Sequence, residues 1–130
     1  MSSIPLHITQ VEEKMAKIGI KTLVVINKRG RVIDSFGESR LNLSKERKEV
    51  LFMQTALQCS MQDEQNDEFG KMQFFMAKRD KSKFFCRHID DDKIAIAVAN
   101  SQANASSVIY YINQLSKMYD TASKSEILRI

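Results

Sequence analysis

Few side chains in this sequence are of the types that make and break bonds: 2 histidines and 2 cysteines in 130 residues. Cys86 and His88 stand two apart in the strand-like run KFFCRHI, so they would share a face and permit a thiol–imidazole pair. Nothing supplies a third group or an oxyanion hole, so the pair predicts no catalysis. His7 and His88 are the imidazoles available to a metal, and His88 is followed by Asp90, Asp91 and Asp92. Ligands crowded this tightly rarely converge on one ion, and a strand histidine before a solvated acidic turn explains the same residues. No serine sits in a nucleophile elbow, and neither G-x-x-x-x-G-K-[ST] nor G-x-G-x-x-G occurs. The expectation is therefore no catalytic residue, no metal and no cofactor.

Charge offers a second kind of chemistry. The formal net charge is +4 and the pI about 9.1, basic but short of a dedicated nucleic-acid module. It is segregated along the chain: Asn27–Arg31 and Lys78–Lys83 are basic, Asp63–Glu68 and Asp90–Asp92 acidic. Lys28, Arg29, Arg31, Lys78, Arg79, Lys81, Lys83 and Arg87, with Phe74, Phe75, Phe84 and Phe85 nearby, give the cation-plus-aromatic mix of single-strand nucleic-acid binders. The phenylalanines come in consecutive pairs, however, so one of each pair must face inward, which favours the core for them. The basic turns then read as solvated hairpin tips or as contacts for an acidic partner.

Those residues need a scaffold. Hydrophobic residues at 43% and charged residues at 28%, with 4 Gly and 1 Pro, fit one soluble domain over 1–119 with a tail at 120–130. No apolar run approaches the length of a membrane span, and the N-terminus lacks a charged-then-apolar secretory pattern. Cys59 and Cys86 both fall at apolar-compatible positions and are expected as buried free thiols in a cytoplasmic protein.

Ile8, Val11, Met15 and Ile18 predict an amphipathic first helix ended by Gly19. Ile20–Asn27 reads as a strand buried on both faces, Lys28-Arg29-Gly30 as a hairpin turn, and Arg31–Gly37 as a second, more exposed strand. The central helix runs from an N-cap at Ser44 to about Gln62 or a turn further. Its residues Val50, Met53, Leu57 and Met61 line one face, and Leu51, Phe52, Ala56 and Cys59 widen the stripe beyond what covering one sheet needs. This helix should touch something on two sides. Lys71–Lys78 and Lys83–Ile89 predict the third and fourth strands, and Lys93–Ala99 a fifth, with Ile94, Ile96 and Val98 on a bulky face and three alanines on the other. A helix is expected across those alanines. Val108, Tyr111, Ile112, Leu115, Met118 and Tyr119 mark the last helix.

The order α-β-β-α-β-β-β-α defines an α+β fold, a five-stranded antiparallel sheet flanked by helices. With TLVVINKRGRVIDSFG as its most family-like stretch, the sequence resembles the roadblock/dynein light chain (roadblock/LAMTOR-like) family, whose fold is profilin-like. KERKEVLFMQTALQCSM and FMAKRDKSKFFCRHIDDDKIAIAVAN are also similar to an uncharacterised archaeal group of small proteins. The chain departs from the family in its four crowded phenylalanines and its basic turns. The resemblance implies a non-catalytic platform that dimerises by pairing central helices and extending the sheet through the third strand. It also implies a small GTPase or other regulatory protein as partner and no nucleotide site of its own.

A homodimer would then use Val50, Met53, Gln54, Leu57, Met61, Met72 and Phe74. Lys45, Arg47 and Lys48 open the central helix and Asp63, Glu64, Asp67 and Glu68 close it, the reverse of what its dipole prefers. An antiparallel second copy would set each basic end beside an acidic one. The alternatives are nucleic-acid binding by the basic turns and a small-ligand sensor with a sheet-lined pocket. Sensors of that kind usually insert several short helices where this chain has one long helix.

Overall fold

Gly19 fixes where the first helix stops. The computed structural model describes the backbone of residues 4–129 and the side chains of residues 10–37 and 39–117. Helix α1 spans Ile4–Ile18 and packs Val11, Met15 and Ile18 inward; the side chains of His7 and Ile8 lie outside the described residues. Gly19 takes φ +84°, open to glycine at no steric cost, and turns the chain directly into strand β1, Ile20–Asn27.

The aliphatic run of β1 is buried on both faces, as its continuity predicts. Leu23 and Val25 join Met15, Val108 and Ile112 in one core layer, while Val24 and Ile26 join Phe52, Ala56 and Cys59 in the other. Thr22 is fully buried because its hydroxyl donates to the Gly37 carbonyl at 2.9 Å. Strand β2, Val32–Phe36, pairs antiparallel with β1 and leaves Val32 and Ile33 exposed.

Helix α2, Lys45–Asp63, begins at the expected N-cap, with Ser44 Oγ accepting the Arg47 N–H at 3.2 Å. The further turn after it is a separate short helix, α3, Asn66–Phe69. Strand β3 is only Phe75–Lys78, four residues shorter at its start than the alternation of Met72, Phe74 and Met76 predicts. The reason is local: Asn66 Oδ1 accepts the Met72 N–H at 3.1 Å, tying this stretch to α3 before it can join the ladder. Strands β4 (Ser82–His88) and β5 (Lys93–Asn100) follow, then helix α4, Ala105–Arg129. The backbone of α4 runs on through the stretch expected as a tail; the side chains of Met118, Tyr119 and the residues after them lie outside the described residues.

The sheet order is β2-β1-β5-β4-β3, every neighbour antiparallel, so β5 sits at its centre. Ala95, Ala97 and Ala99 face the layer that holds Met15 of α1 and Val108, Ile112 and Leu115 of α4. Small side chains there let helices approach the strand closely, while Ile94, Ile96 and Val98 fill the space under α2. Phe85 is fully buried opposite Ala97, Phe84 and Phe75 pack partly under α2, and Phe74 is exposed. Each fully buried Leu, Ile, Val or Phe contributes about 1.5–3 kcal/mol, so the two layers hold the fold together.

Candidate interaction surface

Helix α2 has two apolar faces. Phe52, Ala56 and Cys59 point into the core, and the Thr55 hydroxyl is satisfied by the Leu51 carbonyl at 2.8 Å. On the outer face Val50, Met53, Leu57 and Met61 are 51%, 61%, 61% and 55% exposed, with exposed Gln54 among them. Four large apolar side chains at i, i+3, i+7 and i+11 in water form a contiguous patch of the kind that marks a protein contact. Met72 is half-buried against the α2 side of the core, and Phe74 is 42% exposed just before β3. β3 and β2 are the two edges of the sheet.

The ends of α2 differ in charge. Lys45, Arg47 and Lys48 sit in its first turns with Glu46 and Glu49 interleaved. At the other end Asp63 Oδ2 meets His88 Nε2 at 2.8 Å, so this carboxylate is already engaged within the chain. Glu64, at the C-cap, and Asp67 and Glu68, in α3, are exposed. The His88–Asp63 bond engages Nε2 of the imidazole that the sequence set beside Cys86. Cys86, which shares its face, lies in the α2-side core, where burial and the neighbouring Cys59 push the thiol far above its usual range. Cys59 is pushed up to about 12 by burial and by the nearby Asp63 carboxylate. Both are free buried cysteines.

The two basic turns do not meet. Asn27 pairs with Lys93, and Lys28 lines a groove with His88, Asp90 and Asp91, so the first turn lies at that end of the sheet. Lys78 pairs with Lys83, which pairs with Ala99, so Arg79 and Lys81 lie at the opposite end. Lys83 also donates its ammonium to the Ala103 carbonyl at 2.8 Å. Strands of this length hold the two ends roughly 25 Å apart. Arg87 sits at the first end, with its Nε on the His88 carbonyl at 3.3 Å.

The first turn is shaped by Asn27, whose Oδ1 accepts the N–H groups of Arg29 at 2.9 Å and Arg31 at 3.0 Å. Gly30 takes φ +85° and abuts the backbone of α2 at Phe52 and Met53. Between this turn and the first half of α2 runs a groove of about 580 Å³, lined by Val32, Phe52 and Met53 and by the charged Arg29, Arg31, Lys45, Lys48 and Glu49. A second groove of about 510 Å³, around His88, mixes Lys28, Lys71 and Arg87 with Asp63, Asp90 and Asp91. Among the described residues no group of three or more His, Cys, Asp or Glu could hold a metal ion. Asp90 instead braces its own turn. Burial pushes its carboxyl up, but the Lys93 ammonium at 2.9 Å and the Asp92 and Lys93 N–H groups outweigh this and hold it below its usual range.

Sequence reasoning missed the His88–Asp63 bond, which joins residues 25 apart, and the Gly30–α2 contact. Neither leaves a periodic signal.

No family model matches the sequence, and no curated protein does. Solved structures do match. MglB of Myxococcus xanthus superposes with a TM-score of 0.74 over 92% of this chain and 96% of that one, at 14% identity. A Roadblock/LC7 domain of Streptomyces avermitilis gives 0.70 over 87% and 97%, at 14% identity. Profilin IB of Acanthamoeba castellanii gives 0.58 over 84% and 91%, at 8% identity. The chain thus has the Roadblock/LC7 fold, within the wider profilin-like architecture. At these identities the likeness is one of fold. Among the described residues no helix is long and apolar enough to cross a membrane.

Proposed function

We propose that the chain is a non-catalytic interaction domain that forms a homodimer through the outer face of α2 and binds a regulatory protein, of the small-GTPase type. The exposed stripe Val50, Met53, Leu57 and Met61 carries this reading. A helix that covers its sheet with one face has no need of a second apolar face unless another molecule covers it. The copies run antiparallel, so that the basic start of each α2 lies beside the acidic end of the other, with Glu64, Asp67 and Glu68 the acids not bound to His88. Phe74 and the β3 edge extend the contact. The GTPase-type partner rests on the family resemblance, and buried free thiols fit a cytoplasmic setting.

Nucleic-acid binding finds less support, because its candidate residues are split between opposite ends of the sheet and Lys83 is bound to Ala103. Light scattering at micromolar concentration should return twice the chain mass, and a clean monomer would remove the dimer. A small GTPase from the same organism, loaded with GTP or GDP, should bind or change its hydrolysis rate when the protein is added. If neither changes for any such GTPase, the partner class is wrong.

A further inference from the structure

Helix α2's outer stripe does not stop at Met61. Leu57, Met61 and Glu64 follow at i, i+4 and i+7, so the apolar face ends in a carboxylate, and both Met61 and Glu64 are exposed. Beside the first half of the same helix lies the groove lined by Val32, Phe52 and Met53, by the cations Arg29, Arg31, Lys45 and Lys48, and by one acid, Glu49. One half of the stripe thus offers an apolar side chain with an acid one turn on. The other half is flanked by an apolar trough in which cations outnumber the single acid Glu49.

We propose that this groove is filled by a second copy of the chain: Met61 of the second copy lies on Val32 and Met53, and Glu64 of the second copy meets Arg29 and Arg31. The inference rests on the α2-mediated dimer above and adds the β1–β2 turn to its interface. A two-fold axis through the middle of the stripe, between Met53 and Leu57, brings Met61 of the second copy level with Val50 and Glu64 level with Arg47. The groove spans helix positions Lys45 to Met53, so both fall within its length. The charges say why the turn is the acceptor. Along the first turns of α2 Glu46 and Glu49 offset part of the charge of Lys45, Arg47 and Lys48, so that the helix start is only weakly basic. The stretch Lys28 to Ile33 contains three cations and no acid. Gly30 makes the arrangement possible, since only a residue without a side chain lets the turn lie against α2 and form the trough. The interface is self-complementary, each copy giving one Met61–Glu64 end and one groove. Arg29 and Arg31 therefore serve self-association and set its register.

The test uses two differently tagged full-length chains, one carrying Arg31→Cys and the other Glu64→Cys. The native Cys59 and Cys86 are buried and do not compete. Mild oxidation with diamide should give a disulfide joining the two tags. In parallel, Arg29→Glu/Arg31→Glu should weaken the dimer by about tenfold, and adding Glu64→Arg to the same chain should restore it. If the wild-type protein is a dimer yet no mixed-tag product forms, or the triple variant is no tighter than the double, the groove is not the seat of Met61 and Glu64, and the α2 dimer stands without it. If the wild-type protein is a monomer, the dimer itself is lost, and this inference with it.

Discussion

Gly30 lies against the backbone of Met53: a Cβ added to Gly30 would come within 2.8 Å of Met53 Cα and 2.9 Å of Met53 N. Neither atom can swing aside, since both belong to a helix held by its own hydrogen bonds. Gly30→Ala should therefore cost about 2–4 kcal/mol, from a left-handed φ and from overpacking together. Gly70 supplies the comparison, with φ +89° and nothing within 4 Å of an added Cβ. Urea denaturation should show Gly70→Ala as the milder change, and equal costs would mean that the turn can lift off α2.

His88 and Asp63 tie the end of α2 to β4 through a single 2.8 Å bond between partly exposed side chains. Solvent screening limits its worth, so a double-mutant cycle with His88→Ala and Asp63→Ala should give a coupling of about 0.5–1 kcal/mol. A coupling near zero would leave the two held only by their own elements.

Met53→Lys or Leu57→Lys should leave the chain folded, because both side chains face water in the single chain. Either should shift the light-scattering mass from dimer toward monomer at micromolar concentration. A dimer that survives both changes would place the interface elsewhere.

Asp90 predicts an acid-limb effect. Its carboxyl is held below the ordinary carboxylate value in the folded protein, so its contribution is fully present above that ordinary value and is lost as pH falls through the lowered folded value. Comparing the urea midpoint of Asp90→Asn with that of the wild type, the deficit should be clear near neutral pH and shrink as the solution is acidified. A deficit that persists in acid would point to the lost turn geometry instead.

Much of the scaffold could be read directly, because its signals are local. The unbroken aliphatic run of β1, the bulky and small faces of β5 and the Ser44 cap each depend on neighbours a few residues away. The start of β3 could not be read, since Met72 and Phe74 keep the alternating pattern while Asn66 takes the Met72 N–H. Gly30 was recognisable as a turn residue but not as a seat for α2, and His88 was visible while its partner Asp63 was not. Whether the two basic turns share a surface depends on strand order, which no single segment encodes. The outer face of α2 stood out because its stripe is wider than one sheet can cover.

The ladder at the centre of the sheet, β1 against β5, joins stretches about seventy residues apart in the chain. During synthesis the β1–β2 hairpin emerges early, with its aliphatic strand already complete. The strand that must cover it comes only after α2, β3 and β4 have left the ribosome. Until then β1 keeps an open edge, and only α1 and then α2 are there to cover its Leu23 and Val25 face and its Val24 and Ile26 face. Closure of the β1–β5 ladder is thus the late step in folding, and the nascent chain passes through an interval in which its best-formed strand is its stickiest.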